Sequence, residues 1–96
     1  MDIIRKLELN QLSKEEIDKV TKLDISFNQI TTIPECLGNL VNLRELYLSC
    51  DKIKIISECL GNLINLQKLN FYYNQIRILP ECLGNLVNLC EVNLSK

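Results

Sequence analysis

Pro80-Glu81-Cys82-Leu83-Gly84-Asn85-Leu86-Val87-Asn88-Leu89 decides how this chain is read, because it occurs three times. PECLGNLVNL stands at 34–43 and SECLGNLINL at 57–66, so the offset is 23 residues at each step. A fixed period of that length marks a solenoid, in which each repeat is one structural unit that buries its apolar side against the next.

Working outward from the shared block, apolar residues fall into seven columns. The middle repeat supplies Leu43, Leu46, Leu48, Ile53, Ile56, Leu60 and Leu63. The repeat before it has Val20, Leu23, Ile25, Ile30, Ile33, Leu37 and Leu40, and the repeat after it Leu66, Leu69, Phe71, Ile76, Leu79, Leu83 and Leu86. Leu46-Tyr47-Leu48 and its relatives alternate apolar and polar, the mark of a half-buried strand. Equivalent strands of successive turns stack in parallel, so strands are predicted near 7–9, 23–25, 46–48, 69–71 and 92–94. Pro34 and Pro80 end strand continuation, and Gly38, Gly61 and Gly84 suit a tight bend, so a short helical or extended piece returns the chain on the outer side.

Residues 1–19 read as a shortened capping turn, and 20–96 as about three full repeats with a partial fourth. Ile4, Leu7 and Leu9 repeat the spacing of Val20, Leu23 and Ile25. Ser13 with Glu16 has the capping-box pattern that starts a helix, and Ile17 and Val20 give that helix an apolar side.

Leu43-x-x-Leu46-x-Leu48-x-x-Asp51-x-Ile53 and Leu66-x-x-Leu69-x-Phe71-x-x-Asn74-x-Ile76 resemble the leucine-rich repeat, LxxLxLxxNxL. The continuation Leu79-Pro80-Glu81-Cys82-Leu83-Gly84-Asn85-Leu86 is similar to the LPxxLGxL form of the 23-residue subclass. That form occurs in Ras-group scaffold proteins, plant intracellular proteins, and bacterial, amoebal and viral repeat proteins. The resemblance spans about 4–93. It implies an α/β repeat fold: a right-handed solenoid forming a horseshoe arc, with a parallel β-sheet on its concave face and a protein as partner. Three residues depart from the pattern. Asp51 replaces the Asn of Asn28 and Asn74, and an ionised carboxylate accepts hydrogen bonds but cannot donate them, so the middle turn is expected to be locally weaker. Ser57 replaces Pro34 and Pro80. Leu12 occupies the Asn column in the short first turn.

Net charge is −1 and there is no His, Trp or Ala. Nothing in that balance draws the chain to nucleic acid. No apolar stretch is long enough for a signal peptide or a membrane span. Five cysteines, an odd number, without a secretion signal read as reduced thiols, so a cytoplasmic setting is expected. Without His, a Ser or Cys nucleophile lacks its usual base, and no catalytic residue, cofactor or metal is expected. Cys36, Cys59 and Cys82 form a column that invites a thiol or metal reading. They travel within one duplicated block, though, and no His or CxxC accompanies them. Asn93-Leu94-Ser95 matches a glycosylation acceptor by spacing alone.

The polar positions of the strands form columns of their own: Lys6, Lys22, Glu45, Lys68 and Glu91; then Glu8, Asp24, Tyr47, Asn70 and Asn93; then Asn10, Ser26, Ser49, Tyr72 and Ser95, flanked by Phe27, Cys50 and Tyr73. Tyr47 and Tyr72 place large amphipathic groups where core alternation does not require them. They can serve as interface anchors, or can be residues favoured simply by strand propensity. The expectation is a non-enzymatic interaction module whose partner-binding residues are Tyr47, Asn70, Tyr72, Glu45, Lys68 and Asp24. The alternative is a fragment or shortened relative of a longer scaffold. Leu89, Val92 and Leu94 close the pattern without a capping segment, leaving a parallel strand edge of the kind that recruits other chains. Concentration-dependent self-association is therefore expected in sedimentation. A strictly monomeric profile at high concentration would count against it.

Overall fold

A computed structural model describes residues 11–27, 29, 31–49, 51–77 and 80–93. The expected strand near 7–9 lies outside them. The chain opens with a one-turn helix, α1 (Lys14–Asp18), and then alternates four short strands with three 3-10 turns. The strands are β1 (Lys22–Asp24), β2 (Glu45–Tyr47), β3 (Lys68–Asn70) and β4 (Glu91–Asn93). The 3-10 turns cover Glu35–Asn39, Glu58–Asn62 and Glu81–Asn85.

The strands form one parallel sheet in the order β1-β2-β3-β4. Leu23 pairs with Leu46, Leu46 with Leu69 and Leu69 with Val92. Each strand therefore pairs with the strand 23 residues away, and the apolar side chains stay on one side. The architecture is a leucine-rich-repeat solenoid, with the parallel sheet on one side and the 3-10 turns returning the chain on the other. The observed strands begin one residue before the expected limits, although hydrogen bonding continues past their ends: Ile25 N–H donates to Tyr47 O at 2.9 Å and Leu48 N–H to Asn70 O at 2.8 Å.

Burial follows the columns. Leu43, Leu46, Leu48, Ile53, Leu60 and Leu63 are fully enclosed and Ile56 nearly so. Leu12, Ile17 and Val20 pack against the same core at the N-terminal side. Its later end is thinner: Ile76 and Leu83 are only half-buried where Ile53 and Leu60 are sealed. A column residue is sealed when a turn lies on each side of it.

The N-terminal helix has the expected capping box. Ser13 Oγ accepts from Glu16 N–H at 3.2 Å, and Glu16 Oε1 accepts from Ser13 N–H at 3.1 Å. Each 3-10 turn starts at a residue in extended conformation: Pro34, Ser57 or Pro80. The substitution at Ser57 is compensated, because its hydroxyl accepts from Cys59 N–H at 3.3 Å, a bond proline cannot offer.

Glycine acts differently from the sequence expectation. None of the described glycines has positive φ. They provide space rather than an unusual bend. A Cβ on Gly61 would sit 2.9 Å from Cys82 Cβ, and one on Gly38 would sit 3.1 Å from Asn62 Nδ2 and 3.3 Å from Cys59 Cβ. A Cβ on Gly84 meets nothing within 4 Å. Cys59 and Cys82 thus each lie over the glycine of the turn before, and their thiols point back to that turn's backbone. Cys59 Sγ reaches Pro34 O at 3.6 Å and Cys82 Sγ reaches Ser57 O at 4.0 Å.

A second amide ladder, not anticipated from the sequence, runs along the turns that lead from the 3-10 segments into the strands. Asn42, Asn65 and Asn88 donate through Nδ2 to the carbonyls of Asp18, Val41 and Ile64, at 2.9, 3.0 and 3.1 Å. In the bend after β3, Asn74 Nδ2 donates to Leu48 O at 2.6 Å and lies 3.2 Å from Phe71 O and 3.4 Å from Tyr72 O. Its Oδ1 accepts from Ile53 N–H at 2.9 Å. Asp51 occupies the same column one turn earlier and is buried, at 5% exposure. Its Oδ2 is enclosed and accepts no hydrogen bond among the described residues, while the residue keeps an interaction elsewhere.

Two stability outcomes follow. Asp51→Asn restores the donor that Asn74 supplies, and should raise stability by about 1 kcal/mol, within the range for satisfying a buried acceptor. For a domain of this size that shifts the thermal midpoint upward by roughly 4–8 °C in a calorimetric scan; an unchanged or lower midpoint contradicts it. Gly61→Ala forces Cys82 away and should cost about 1–3 kcal/mol. Gly84→Ala fits its backbone and should be neutral or stabilising by about 0.4–1 kcal/mol. Equal losses at both sites in urea unfolding would contradict the packing account.

Candidate functional site: the strand face

Strand alternation sends one set of side chains into the core and the other onto an open sheet face. The first row of that face runs Lys22, Glu45, Lys68, Glu91 across the four strands, alternating in charge. The second row runs Asp24, Tyr47, Asn70, Asn93. The six residues expected to bind a partner are therefore brought onto one surface: Glu45 pairs with Lys68, Asp24 and Asn70 flank Tyr47, and Tyr72 follows Asn70. Glu45, Tyr47, Asn70 and Tyr72 are half-buried, and Asp24 and Lys68 are exposed.

The tyrosine of the second row is committed to its neighbours. Tyr47 Oη donates to Glu45 Oε1 at 2.5 Å, and Lys22 Nζ lies 5.6 Å from its ring centroid, within cation–π range. The hydrogen bond from Tyr47 is the main reason that the Glu45 carboxyl sits below its usual pKa; burial opposes it, and the nearby Lys68 and Lys22 charges each add a lesser lowering effect. The same bond to Glu45 is the first cause raising the Tyr47 phenol above its usual pKa. Lys22, absent from the expected set, thus belongs to the face.

A polar line continues beyond the strands. Asp24 Oδ1 accepts from Ser26 N–H at 3.0 Å, and Asn70 Oδ1 accepts from Tyr72 N–H at 2.9 Å, the same two-residue turn in two repeats. Between them, Ser49 N–H donates to Ser26 Oγ at 2.9 Å and Ser49 Oγ donates to Asn70 Oδ1 at 2.6 Å. This network rigidifies the face from Asp24 to Tyr72.

The most exposed aromatics lie at its border. Phe27 is 76% exposed and Tyr73 63%, and both have left-handed backbone, φ 62° and 60°. A bulky residue in that region is strained. Two turns separate them, roughly 10 Å at strand spacing. The Tyr72 and Tyr73 rings lie 6.1 Å apart at 44°, joining the border to the face. The sequence placed Phe27 and Tyr73 beside the face but not within the binding set. Their identical offset from the Asn column was the available signal; the exposure that distinguishes them from Tyr47 was not legible.

Among the described residues, no group of three or more His, Cys, Asp or Glu side chains is placed to hold a metal ion. Burial pushes the Cys82 thiol above its usual pKa, which disfavours the reactive thiolate. No helix among them is long and apolar enough to cross a membrane.

Family models for leucine-rich repeats match residues 18–62, as two copies, and residues 65–86. The chain belongs to the leucine-rich repeat family. Comparison with curated proteins found no match. Among solved structures, this leucine-rich repeat chain is similar to a leucine-rich repeat protein of Leptospira interrogans, at 33% identity and TM-score 0.79. That match covers 97% of this chain and 22% of the other. It is also similar to an internalin of Listeria monocytogenes, at 31% identity and TM-score 0.77, over 88% of this chain and 24% of the other. The chain therefore spans under a quarter of the length of these two proteins. Leucine-rich repeat domains typically carry protein–protein interaction.

The Glu45–Tyr47 pair yields a titration outcome. A carboxylate with a lowered folded pKa adds stability that is present above its unfolded pKa, about 4.3, and is lost as pH falls through the folded value. Tyr47→Phe removes the leading cause, so the Glu45 carboxyl should titrate at higher pH in the variant when followed by carbon-detected NMR. An unmoved titration contradicts the assigned bond.

Proposed function

We propose that this leucine-rich repeat chain is a non-enzymatic interaction module that binds a protein through its strand face, the concave side of the arc, in the cytoplasm. The observation that carries this reading is the second row and its border. Tyr47, Tyr72 and Tyr73 stand outside the core, on a face held by side-chain hydrogen bonds, with alternating charge alongside. Such a face offers amphipathic anchors with low entropy loss and a charge pattern that sets orientation. Tyr72 and Asn70 are the central anchors, Glu45, Lys68 and Asp24 set register, and Tyr47 acts with Glu45 and Lys22 as a preorganised unit. Leu12, Ile17 and Val20, packed against the core, cover its N-terminal side. Self-association along the β4 edge belongs to the same reading, since Val92 there is 41% exposed.

A second reading is favoured by coverage. The chain spans only 22% and 24% of the two solved proteins it resembles, which fits a shortened relative or a piece of a longer scaffold without separate activity. A thiol or metal role for Cys36, Cys59 and Cys82 is less favoured, because packing against the glycine column accounts for Cys59 and Cys82.

Pull-down or proximity labelling in the source cell, followed by variants, tests the first reading. Tyr72→Ala should weaken a recovered partner by about 2 kcal/mol or more, roughly 30-fold, with the fold intact by circular dichroism. Glu58→Ala on the outer side should change little. Binding that survives Tyr72→Ala and Tyr47→Ala but is lost on altering 58–62 overturns the face assignment. No partner for the chain alone, with one for a longer form, favours the second reading.

A further inference from the structure

The side of the solenoid where the chain leaves the strand bends carries a second surface that the strand-face reading does not use. Residues here recur at the repeat spacing: Thr31, Lys54 and Arg77 form one column, and Lys52 and Gln75 another. Two clefts open between them. One, of about 920 Å³, is lined by Lys54, Ile55, Ile56, Ile76 and Arg77 among others. The second, of about 520 Å³, adds Thr31, Thr32 and Lys52 and shares Lys54, Ile55 and Gln75 with the first. Through the shared residues they form one groove crossing successive turns.

Its chemistry is asymmetric. Ile55 stands 76% exposed at the centre, above an apolar floor of buried Ile56 and half-buried Ile76 and Pro80. Lys52, Lys54 and Arg77 are exposed along it, and no carboxylate is among the described lining residues of either cleft. This concentration of one sign occurs in a chain of net charge −1, whose Glu35, Glu58 and Glu81 begin the outer 3-10 turns. An isolated exposed isoleucine is ordinary. One centred in a groove with cations along it and no carboxylate among the described lining residues is a recognition pattern.

We propose that this lateral groove binds an acidic, extended segment of a protein partner. An extended chain alternates its side chains, so apolar residues can press on Ile55 and the floor while the intervening carboxylates meet Lys52, Lys54 and Arg77. Carboxylates two residues apart in such a segment stand roughly 6.5–7 Å apart, against a step of about 5 Å between neighbouring turns at strand spacing, a difference that long, exposed lysine and arginine side chains span. A nucleic acid fits less well, since three cations neutralise few phosphates and the floor is apolar. The site is separate from the strand face and does not depend on it.

The test uses the whole chain and a labelled peptide of about ten residues alternating glutamate and leucine, long enough to cross the groove in extended form. Fluorescence anisotropy should show saturable binding that weakens as salt rises. Lys54→Glu with Arg77→Glu should reduce affinity at least about 10-fold, as should Ile55→Ser, by loss of charge complementarity and of a central anchor. Tyr72→Ala should leave binding unchanged. Absence of saturable binding overturns the proposal. So does equal binding by a lysine–leucine peptide, insensitivity to the charge reversal with the fold intact by circular dichroism, or stronger competing binding by a single-stranded oligonucleotide. Loss of peptide binding in Tyr72→Ala alone would place the contact on the strand face instead.

Discussion

Each described turn of this chain hydrogen-bonds to the turn before it. Asn42, Asn65 and Asn88 reach back in the turns before the strands, Asn74 reaches back at the bend, and the thiols of Cys59 and Cys82 reach back along the 3-10 turns. These bonds occur where the main chain is irregular and cannot complete a ladder of its own. Carbonyls there lack ladder partners, and side chains from the next turn provide donors for them. The parallel sheet is only three residues wide per turn, so it orders the stack but does not by itself explain how the outer side stays closed.

That dependence explains the uneven burial and the functional geometry together. The middle turn is sealed because it has both a donor turn and an acceptor turn, whereas Leu83 in the third remains half-buried. With core columns held at one register, the outward residues are held at one register too. Lys22, Glu45, Lys68 and Glu91 then fall into an alternating row, and Asp24, Tyr47 and Asn70 into the next. A rigid face comes from the same constraint that buries the leucines, and the lateral column of Lys54 and Arg77 is a third product of it.

Much of this was legible from the 23-residue period, because periodicity alone assigns Leu46, Leu69 and their relatives to one side of a parallel stack. The strand-face residues were legible for the same reason. What periodicity cannot supply is which atoms of one turn touch the next. Gly61 reads as a bend residue until Cys82 is seen lying over it. Asn65 reads as a loop asparagine until its amide meets Val41 O. Tyr47 reads as a free anchor until Glu45 and Lys22 are found holding its two ends. Phe27 and Tyr73 read as flanking residues, since periodicity does not show their left-handed backbone or their exposure.

The central claim is that contacts between turns, not within them, hold the molecule together. Native-state amide hydrogen exchange followed by NMR tests it most directly, with attention to Leu48, Ile53, Lys68 and Phe71, whose N–H groups donate across turn boundaries. The account predicts that these amides exchange through one shared opening, with a single free energy equal to that of global unfolding. It also predicts that Asn65→Ala, which removes one link in the turn leading into β3, lowers protection at all four. Exchange at separate free energies for each turn, or an Asn65→Ala effect confined to its own turn, would contradict it.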